Sequence, residues 1–380
     1  MLKDCVAILS IGSSNVNIIV GEKSVNDTFN LKVNLSHDYY SFLNGEFIDI
    51  KELESIILKM LNDITKSNEI SEISKIFVGI PGEFSKTITK NYKITFNSYK
   101  TITNKDLTLL YDLAFEDNDL EYSLAHRSKV YYLVDNVKTL NPIGSKGLSL
   151  AGRLCFSLVS NNFKEVLTNI LKKAGITTVN FISEDYALSQ YLFDKTEKDA
   201  CKILVDVGNT TTSFSISVGD GLLYSGSIPY GGGLITAYLY EKFECDYSVA
   251  EQLKRKINLG LINDDTASYL INAKDGEVFK FSRNESNEIA KNVLDKIAEE
   301  FENAFKQCPL KIPTDADTYF TGGGICYIRG AVEYVSTRIG VLPKIIKPSL
   351  PHYSKPDYSA KISLLNTALC ECNSKIFFKK

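Results

Sequence analysis

Three short segments carry residue types that could hold an anion. Gly12-Ser-Ser-Asn15 and Gly208-Asn-Thr-Thr-Thr212 are small, hydroxyl-rich bends, and Phe320-Thr-Gly-Gly-Gly-Ile325 contains a run of glycines. A Gly/Ser/Thr bend lets backbone N–H groups converge on a phosphate, and its short side chains add donors without blocking approach. Asp206 stands just before the second bend, where a carboxylate can hold Mg²⁺ through water and offset phosphate charge. One such hairpin would signify only a turn; paired copies favour a polyphosphate clamp. Gly322, Gly323 and Gly324 would let backbone approach a flat ligand such as a nucleobase or ribose. The competing reading of that run is a plain strand-to-helix turn.

The elements around these bends repeat. Residues 5–11 are apolar β-formers and lead through the first bend to Val16-Asn-Ile-Ile-Val20; Ile203-Leu-Val-Asp-Val207 leads through the second to Phe214-Ser-Ile-Ser-Val218. Setting Gly12 on Gly208 puts Ser10 on Asp206 and Gly21-Glu22 on Gly219-Asp220, after a turn two residues longer in the second copy. A duplication offset by half the chain predicts two related lobes facing each other.

Helices are predicted where apolar residues follow the 3.6 period: Leu53, Ile56, Ile57, Met60 and Leu61 behind an Asp49/Glu52 capping pair; Val166, Ile170 and Leu171; Ile289, Val293, Ile297 and Phe301; and residues 329–339. Between them, residues 76–160 mix short strand patterns with one helix near Asp106–Ala114, an inserted α+β module.

Composition narrows the function classes. The 380 residues suggest two or three domains, with 44% apolar and 23% charged residues, a globular balance. The net charge of −3 gives no electrostatic reason to expect nucleic acid as a partner. The three histidines lie far apart, and no pair among the eight cysteines has C-x-x-C spacing, so a protein-only metal or redox site is not expected. No secretory signal or membrane span is read, and a reducing cytoplasm is the default compartment.

In order, these motifs resemble the actin/Hsp70/sugar-kinase superfamily: two phosphate loops and an adenosine motif at Thr321-Gly-Gly-Gly324, with Ser183-Glu-Asp-Tyr-Ala-Leu-Ser189 similar to its connecting helix. Within it the chain resembles the FtsA family of bacterial division actins. The resemblance rests on Asn44-Gly-Glu-Phe-Ile-Asp49, Asn141-Pro-Ile-Gly144, Ile228-Pro-Tyr-Gly-Gly-Gly-Leu-Ile-Thr236 and Ala250-Glu-Gln-Leu-Lys254, and it spans about Asp4 to Leu365. It implies an α/β fold: an actin-like (ribonuclease H-like) two-lobe ATPase fold with an inserted 1C (SHS2-like) α+β subdomain. The implied boundaries are 1–82 with 160–195 and 341–366 (1A), 83–159 (1C), 196–228 with 302–340 (2A), 229–301 (2B) and a short tail at 367–380.

The resemblance also implies roles. Gly12, Ser13 and Asn15 would face the phosphates of ATP or ADP from one lobe, and Gly208, Asn209, Thr210 and Thr211 from the other. Asp206 would bind Mg²⁺ through water. Gly232, Gly233, Glu251 and Lys254 would lie at the ribose or base, Gly322, Gly323 and Gly324 would cover the adenosine, and Glu184 would orient attacking water. The plainer readings are a surface pair for Glu251/Lys254 and a loop charge for Glu184.

The sequence departs from the family at four positions. Ser10 replaces the Asp of the first phosphate loop, Asn15 its basic residue, Ser213 an acid of the second loop, and Tyr238 an Asp. Losing two acids weakens Mg²⁺ binding more than nucleotide recognition, which predicts a weak or optional metal and slow or no hydrolysis. The tail is the other departure. Ile376-Phe-Phe378 with Lys375, Lys379 and Lys380 gives a small basic-aromatic face without a linker, so a final strand or frayed end competes with a weak membrane contact, and tethering would need a partner.

The expected function is an actin-like division scaffold that self-associates into filaments or dimers and binds the C-terminal peptide of the tubulin-like polymer FtsZ, in the cytoplasm at the division site or the inner face of the membrane. The alternatives are a PilM-like pilus-assembly protein that binds a partner's peptide, and a small-molecule kinase. The kinase would need a general base and both metal carboxylates, and Ser10 and Ser213 count against it.

Overall fold

The apolar run ahead of the first bend forms the strand Cys5–Ile11, which returns as Asn15–Lys23 in an antiparallel pair from Cys5 opposite Glu22 to Ile11 opposite Val16. These two strands are part of a five-stranded sheet whose spatial order is Thr178–Ser183, Lys75–Ile80, Cys5–Ile11, Asn15–Lys23, Phe29–Asp38. The strand Cys5–Ile11 is buried on both faces, which is why its sequence is apolar without alternation, Ser10 excepted. This computed structural model describes residues 5–373 except 25–27, 41, 44, 67–72, 117–118, 262–265, 273–275, 310 and 314–315. Asn44 and the tail from Lys375 to Lys380, on which two sequence expectations fall, lie outside the described residues.

One face of the sheet presents Ala7, Leu9, Ile11, Val16, Ile18 and Val20 to the helices Ile50–Lys66 and Asn161–Lys173. The helix Ile50–Lys66 starts where Asp49 Oδ1 accepts the amides of Lys51 and Glu52, both at 2.9 Å. It buries Leu53, Ile56, Ile57, Met60, Leu61 and Ile64, the predicted stripe extended by one turn. Each fully buried aliphatic side chain contributes roughly 1.5–3 kcal/mol; Ile57→Ala should cost about 2–5 kcal/mol through transfer and cavity terms. The other face receives the helix Ser359–Asn373, whose Leu364 and Leu365 press against Gly79 and Gly21. This helix runs through Leu365, where the sequence reading ended the core.

The inserted module is a second sheet of order Ser85–Thr101, Lys146–Ser160, Tyr122–Val134, Val137–Thr139, antiparallel at each pairing. The helix Asn104–Ala114 packs Leu107, Leu110, Tyr111 and Ala114 against it. Its start is fixed by Asp106, whose carboxylate accepts the Thr103 amide (2.9 Å) and hydroxyl (2.8 Å). Asn141-Pro-Ile-Gly144 forms a turn in which the Gly144 amide donates to Ile102 O at 2.9 Å.

The chain divides into two compact units: Met1–Lys202 with Ser215–Gly226 and Ala360–Lys380, and Ile203–Phe214 with Ser227–Ser359. A further sheet of order Gly221–Ile228, Thr212–Val218, Lys202–Val207, Asp317–Thr321 carries the second bend. In the second unit, beside the helices Gly233–Phe243, Tyr247–Lys256 and Ala331–Ile339, the helix Arg283–Lys306 buries Val293, Ile297 and Phe301 of the predicted stripe together with Leu294, while Ile289 is only partly buried. Among the described residues no helix is long and apolar enough to cross a membrane.

Candidate functional site

The two bends close with the same bond. In the first unit the Gly12 amide donates to Asn15 O at 2.8 Å; in the second the Gly208 amide donates to Thr211 O at 2.9 Å. Setting Gly12 on Gly208 therefore aligns backbone geometry as well as sequence. Around the first bend, Asn17 Nδ2 donates to Asn15 Oδ1 at 2.6 Å, so the carboxamide that replaces the family's basic residue is tied to the next side chain along the strand. Ser13 is buried. Ser10, on the strand ahead of the bend, donates its hydroxyl to Glu184 Oε1 at 2.9 Å. Glu184 opens the helix Glu184–Tyr191 and so is packed in the first unit, not loose in a loop.

In the second unit the glycine segments interlock. The Gly232 amide donates to Gly208 O at 2.9 Å, the Gly233 amide to Asn209 O at 2.7 Å, and the Gly324 amide to Val207 O at 2.8 Å. Thr212 Oγ1 donates to Tyr230 O at 2.7 Å. Two glycines are obligatory here. Gly322 has φ +90°, and a Cβ at that position would overlap Asp206 Oδ1; a Cβ on Gly232 would overlap the carbonyl of Gly324. The segments at 208–211, 231–233 and 322–324 are thus one backbone assembly. The amides of Gly208, Gly232, Gly233 and Gly324 are engaged in this assembly. Those four are withdrawn from an anion, which would meet a smaller set of amides than the sequence suggests.

Asp206 sits at the centre of that assembly. Burial alone pushes its carboxyl up to about 6, because no hydrogen bond or neighbouring cation among the described residues offsets the desolvation. Burial and then the charge of Asp206 push the nearby Cys326 thiol up to about 12. Among the described residues no three His, Cys, Asp or Glu side chains gather to hold a metal ion by themselves.

Glu251 and Lys254 lie one turn apart on the helix Tyr247–Lys256 and pair with each other at 2.6 Å. Thr236 Oγ1 donates to the same carboxylate oxygen at 2.7 Å, and Arg255 Nε reaches the other at 3.1 Å. Lys254 is only 4% exposed while Glu251 is partly exposed, so a buried lysine anchors the pair at the edge of the protein interior. Burial alone would raise the Glu251 carboxyl, but Lys254, Thr236 and Arg255 outweigh it and hold it below the usual range. Burial lowers Lys254 despite Glu251.

The sequence reading passed over Tyr327 and Asp357. Tyr327 donates its hydroxyl to Asp357 Oδ1 at 2.6 Å, Arg255 lies 5.9 Å from the Tyr327 ring centre, and Asp357 packs beside Gly323. Their spacing of 30 residues carries no motif; the only sequence signal was a Tyr three residues past the glycine run.

The family model described as "Cell division protein FtsA" matches residues 203–363, which hold the second bend, Asp206, Glu251, Lys254 and Gly322–Gly324. Curated relatives span more of the chain. The "Cell division protein FtsA" of Buchnera aphidicola is 22% identical over 339 residues, 87% of this chain and 79% of that one; that of Pseudomonas aeruginosa is 21% identical over 374 residues, 94% and 87%. Among solved structures, a PilM-PilN type IV pilus biogenesis complex superposes with a TM-score of 0.63 at 15% identity, over 96% of this chain and 98% of that one. MreB 5 of Spiroplasma citri bound to AMPPNP superposes with a TM-score of 0.58 at 15% identity, over 97% and 96%.

The protein has the actin-like two-lobe fold with an inserted α+β subdomain. Within that class the chain is similar to FtsA cell-division proteins, at 21–22% identity, and residues 203–363 match that family's model.

Proposed function

We propose that this chain is an FtsA-like, nucleotide-binding scaffold of cell division with slow or no ATP hydrolysis. The observation that carries this reading is the backbone assembly of 208–211, 231–233 and 322–324 around Asp206 in the second unit. Such close packing fixes the orientation of the backbone in these segments, and oriented amides act as fixed partial positive charges for a phosphate. Thr210 and Thr211 add hydroxyls, and in the first unit Gly12, Ser13 and Asn15 form a bend of the same type. Glu251 and Lys254, held by Thr236 and Arg255, present a rigid polar group for ribose or base, beside Gly232 and Gly233. Glu184 takes the part of orienting water. The related MreB 5 structure, bound to AMPPNP, supports a nucleotide on this fold.

Mg²⁺ fits only in company with phosphate. Asp206 is a single carboxylate whose burial raises its proton affinity, and a cation arriving with a nucleotide would offset that burial through water. The acid of the first hairpin is replaced by Ser10, so metal contributes less here than where two carboxylates flank it. Nucleotide would then act by shifting a conformational population more than by turnover. ATP turnover with Mg²⁺ at rates typical of kinases, on the order of 1–100 s⁻¹, would overturn this reading.

As a scaffold the protein would self-associate and bind the C-terminal peptide of FtsZ at the division site. The alternative is a PilM-like protein that binds the peptide of a pilus partner. The superposition on the PilM-PilN complex shows the shared fold and leaves the choice to the sequence relatives, which are FtsA proteins. Sedimentation with ATP over a range of concentrations, followed by pull-down with each peptide, separates the two. Concentration-dependent assembly and capture by the FtsZ peptide support the division reading; a strict monomer captured only by the pilus peptide contradicts it.

A further inference from the structure

Four neighbouring strands of the first unit set Asn17, Ser10, Gly79 and Ile182 in one row. Ser10 is opposite Asn17 in the antiparallel pair, the parallel register Leu9–Val78 puts Gly79 beside Ser10, and Ile182 pairs with Gly79. Paired residues point to the same face of a sheet. Glu184, two residues past Ile182, reaches back along this row. Its Oε1 accepts the Ser10 hydroxyl at 2.9 Å, and its side chain occupies the space over Gly79: a Cβ there would come within 2.5 Å of Oε1 and 3.1 Å of Cγ. Ser10 is 5% exposed. The carboxylate therefore has a seat, with a missing side chain beneath it and a hydroxyl donor beside it.

We propose that Ser10 is a positioning residue that holds the Glu184 carboxylate over Gly79 through a neutral hydroxyl, so that this end of the first sheet needs no divalent cation. A carboxylate at position 10 would lie against Glu184. Two carboxylates in contact cannot both ionise unless a cation bridges them or one keeps a proton. Replacing the acid with Ser10 removes that requirement, and the consequence for slow turnover rests on the nucleotide reading above.

The test uses the full chain without nucleotide, comparing Ser10→Asp, its uncharged isostere Ser10→Asn, and wild type by thermal unfolding. Each is measured at pH 8 in EDTA, at pH 8 with Mg²⁺ or Mn²⁺, and at pH 5.5 in EDTA. The expected result is that Ser10→Asp unfolds several degrees below Ser10→Asn at pH 8 in EDTA, and that either metal or acid restores it. The sign follows from linkage: the carboxyl pair has a raised pKa in the folded state, so the variant loses stability as pH rises through that value. Wild type and Ser10→Asn should show no metal dependence. If Ser10→Asp and Ser10→Asn behave alike in all three conditions, whether both fold or both fail, the carboxylates do not meet and the proposal is overturned. Because no nucleotide is present, the outcome is independent of ATP binding, which a separate titration of the wild type reads.

Discussion

The amide of Gly324 donates to the carbonyl of Val207 at 2.8 Å, and this bond ties the third glycine segment to the strand that carries Asp206. The adenosine-type turn and the phosphate-type bend are therefore mechanically one object. Disturbing either should disturb both.

Gly322→Ala tests that coupling. Its φ of +90° is strained for alanine, and the added Cβ overlaps Asp206 Oδ1. The expected loss is about 2–4 kcal/mol, combining backbone strain and overpacking, together with loss of ATP binding. Gly340→Ala is the control: φ is +71° but nothing lies within 4 Å of its Cβ, so only about 1 kcal/mol should be lost. Chemical denaturation of both variants measures the difference; equal losses would show that the packing on Asp206 does not matter.

Asp206→Asn should have a pH-dependent effect. The Asp206 carboxyl is pushed up to about 6 by burial, so its ionised form disfavours the folded state. The folded chain binds this proton more tightly than the unfolded chain, and stability is lost as pH rises from about 4 to about 6. Asparagine removes that loss. The melting temperature of the variant relative to wild type should rise between pH 4 and pH 7.5, while any Mg²⁺ dependence of nucleotide affinity disappears. A difference that stays constant across this range would contradict the assignment.

Lys254→Met should leave the partly exposed Glu251 carboxylate without its closest cation, with Arg255 and Thr236 still in place, and cost about 1–3 kcal/mol. The double variant Glu251→Gln/Lys254→Met should recover much of that loss, since replacing both members of such a pair is far less costly than removing one. Urea unfolding of the single and double variants reads the coupling. Additive losses would mean that the pair acts as two independent surface charges.

Much of the framework was legible because the relevant signals are local. The β-former runs on either side of Gly12 and of Gly208, the Asp49 cap and the stripe from Leu53 to Leu61 depend on neighbours within one or two turns. The site was less legible because its contacts are not local. Ser10 meets Glu184 across 174 residues, and no spacing rule connects them. For Glu251 and Lys254 the sequence leaves a ribose or base contact and a plain surface pair both open, since an i,i+3 pattern does not report that Thr236 and the helix packing bury the lysine. The sequence presents the glycine runs as ligand contacts, and the structure adds that the amides of Gly232, Gly233 and Gly324 are bonded within the assembly. The helix Ser359–Asn373 continues past Leu365 with Ala368 and Leu369 buried, and Leu364 and Leu365 pack on glycines of distant strands, contacts that no local pattern reports.

The central claim is that the glycine assembly around Asp206 takes a nucleotide. Calorimetric titration of ATP and ADP into the full chain, with and without Mg²⁺, tests it most directly. The account predicts saturable binding of both nucleotides that changes little when the metal is removed. No heat of binding in any of the four titrations would contradict it and reduce the glycine loops to architecture.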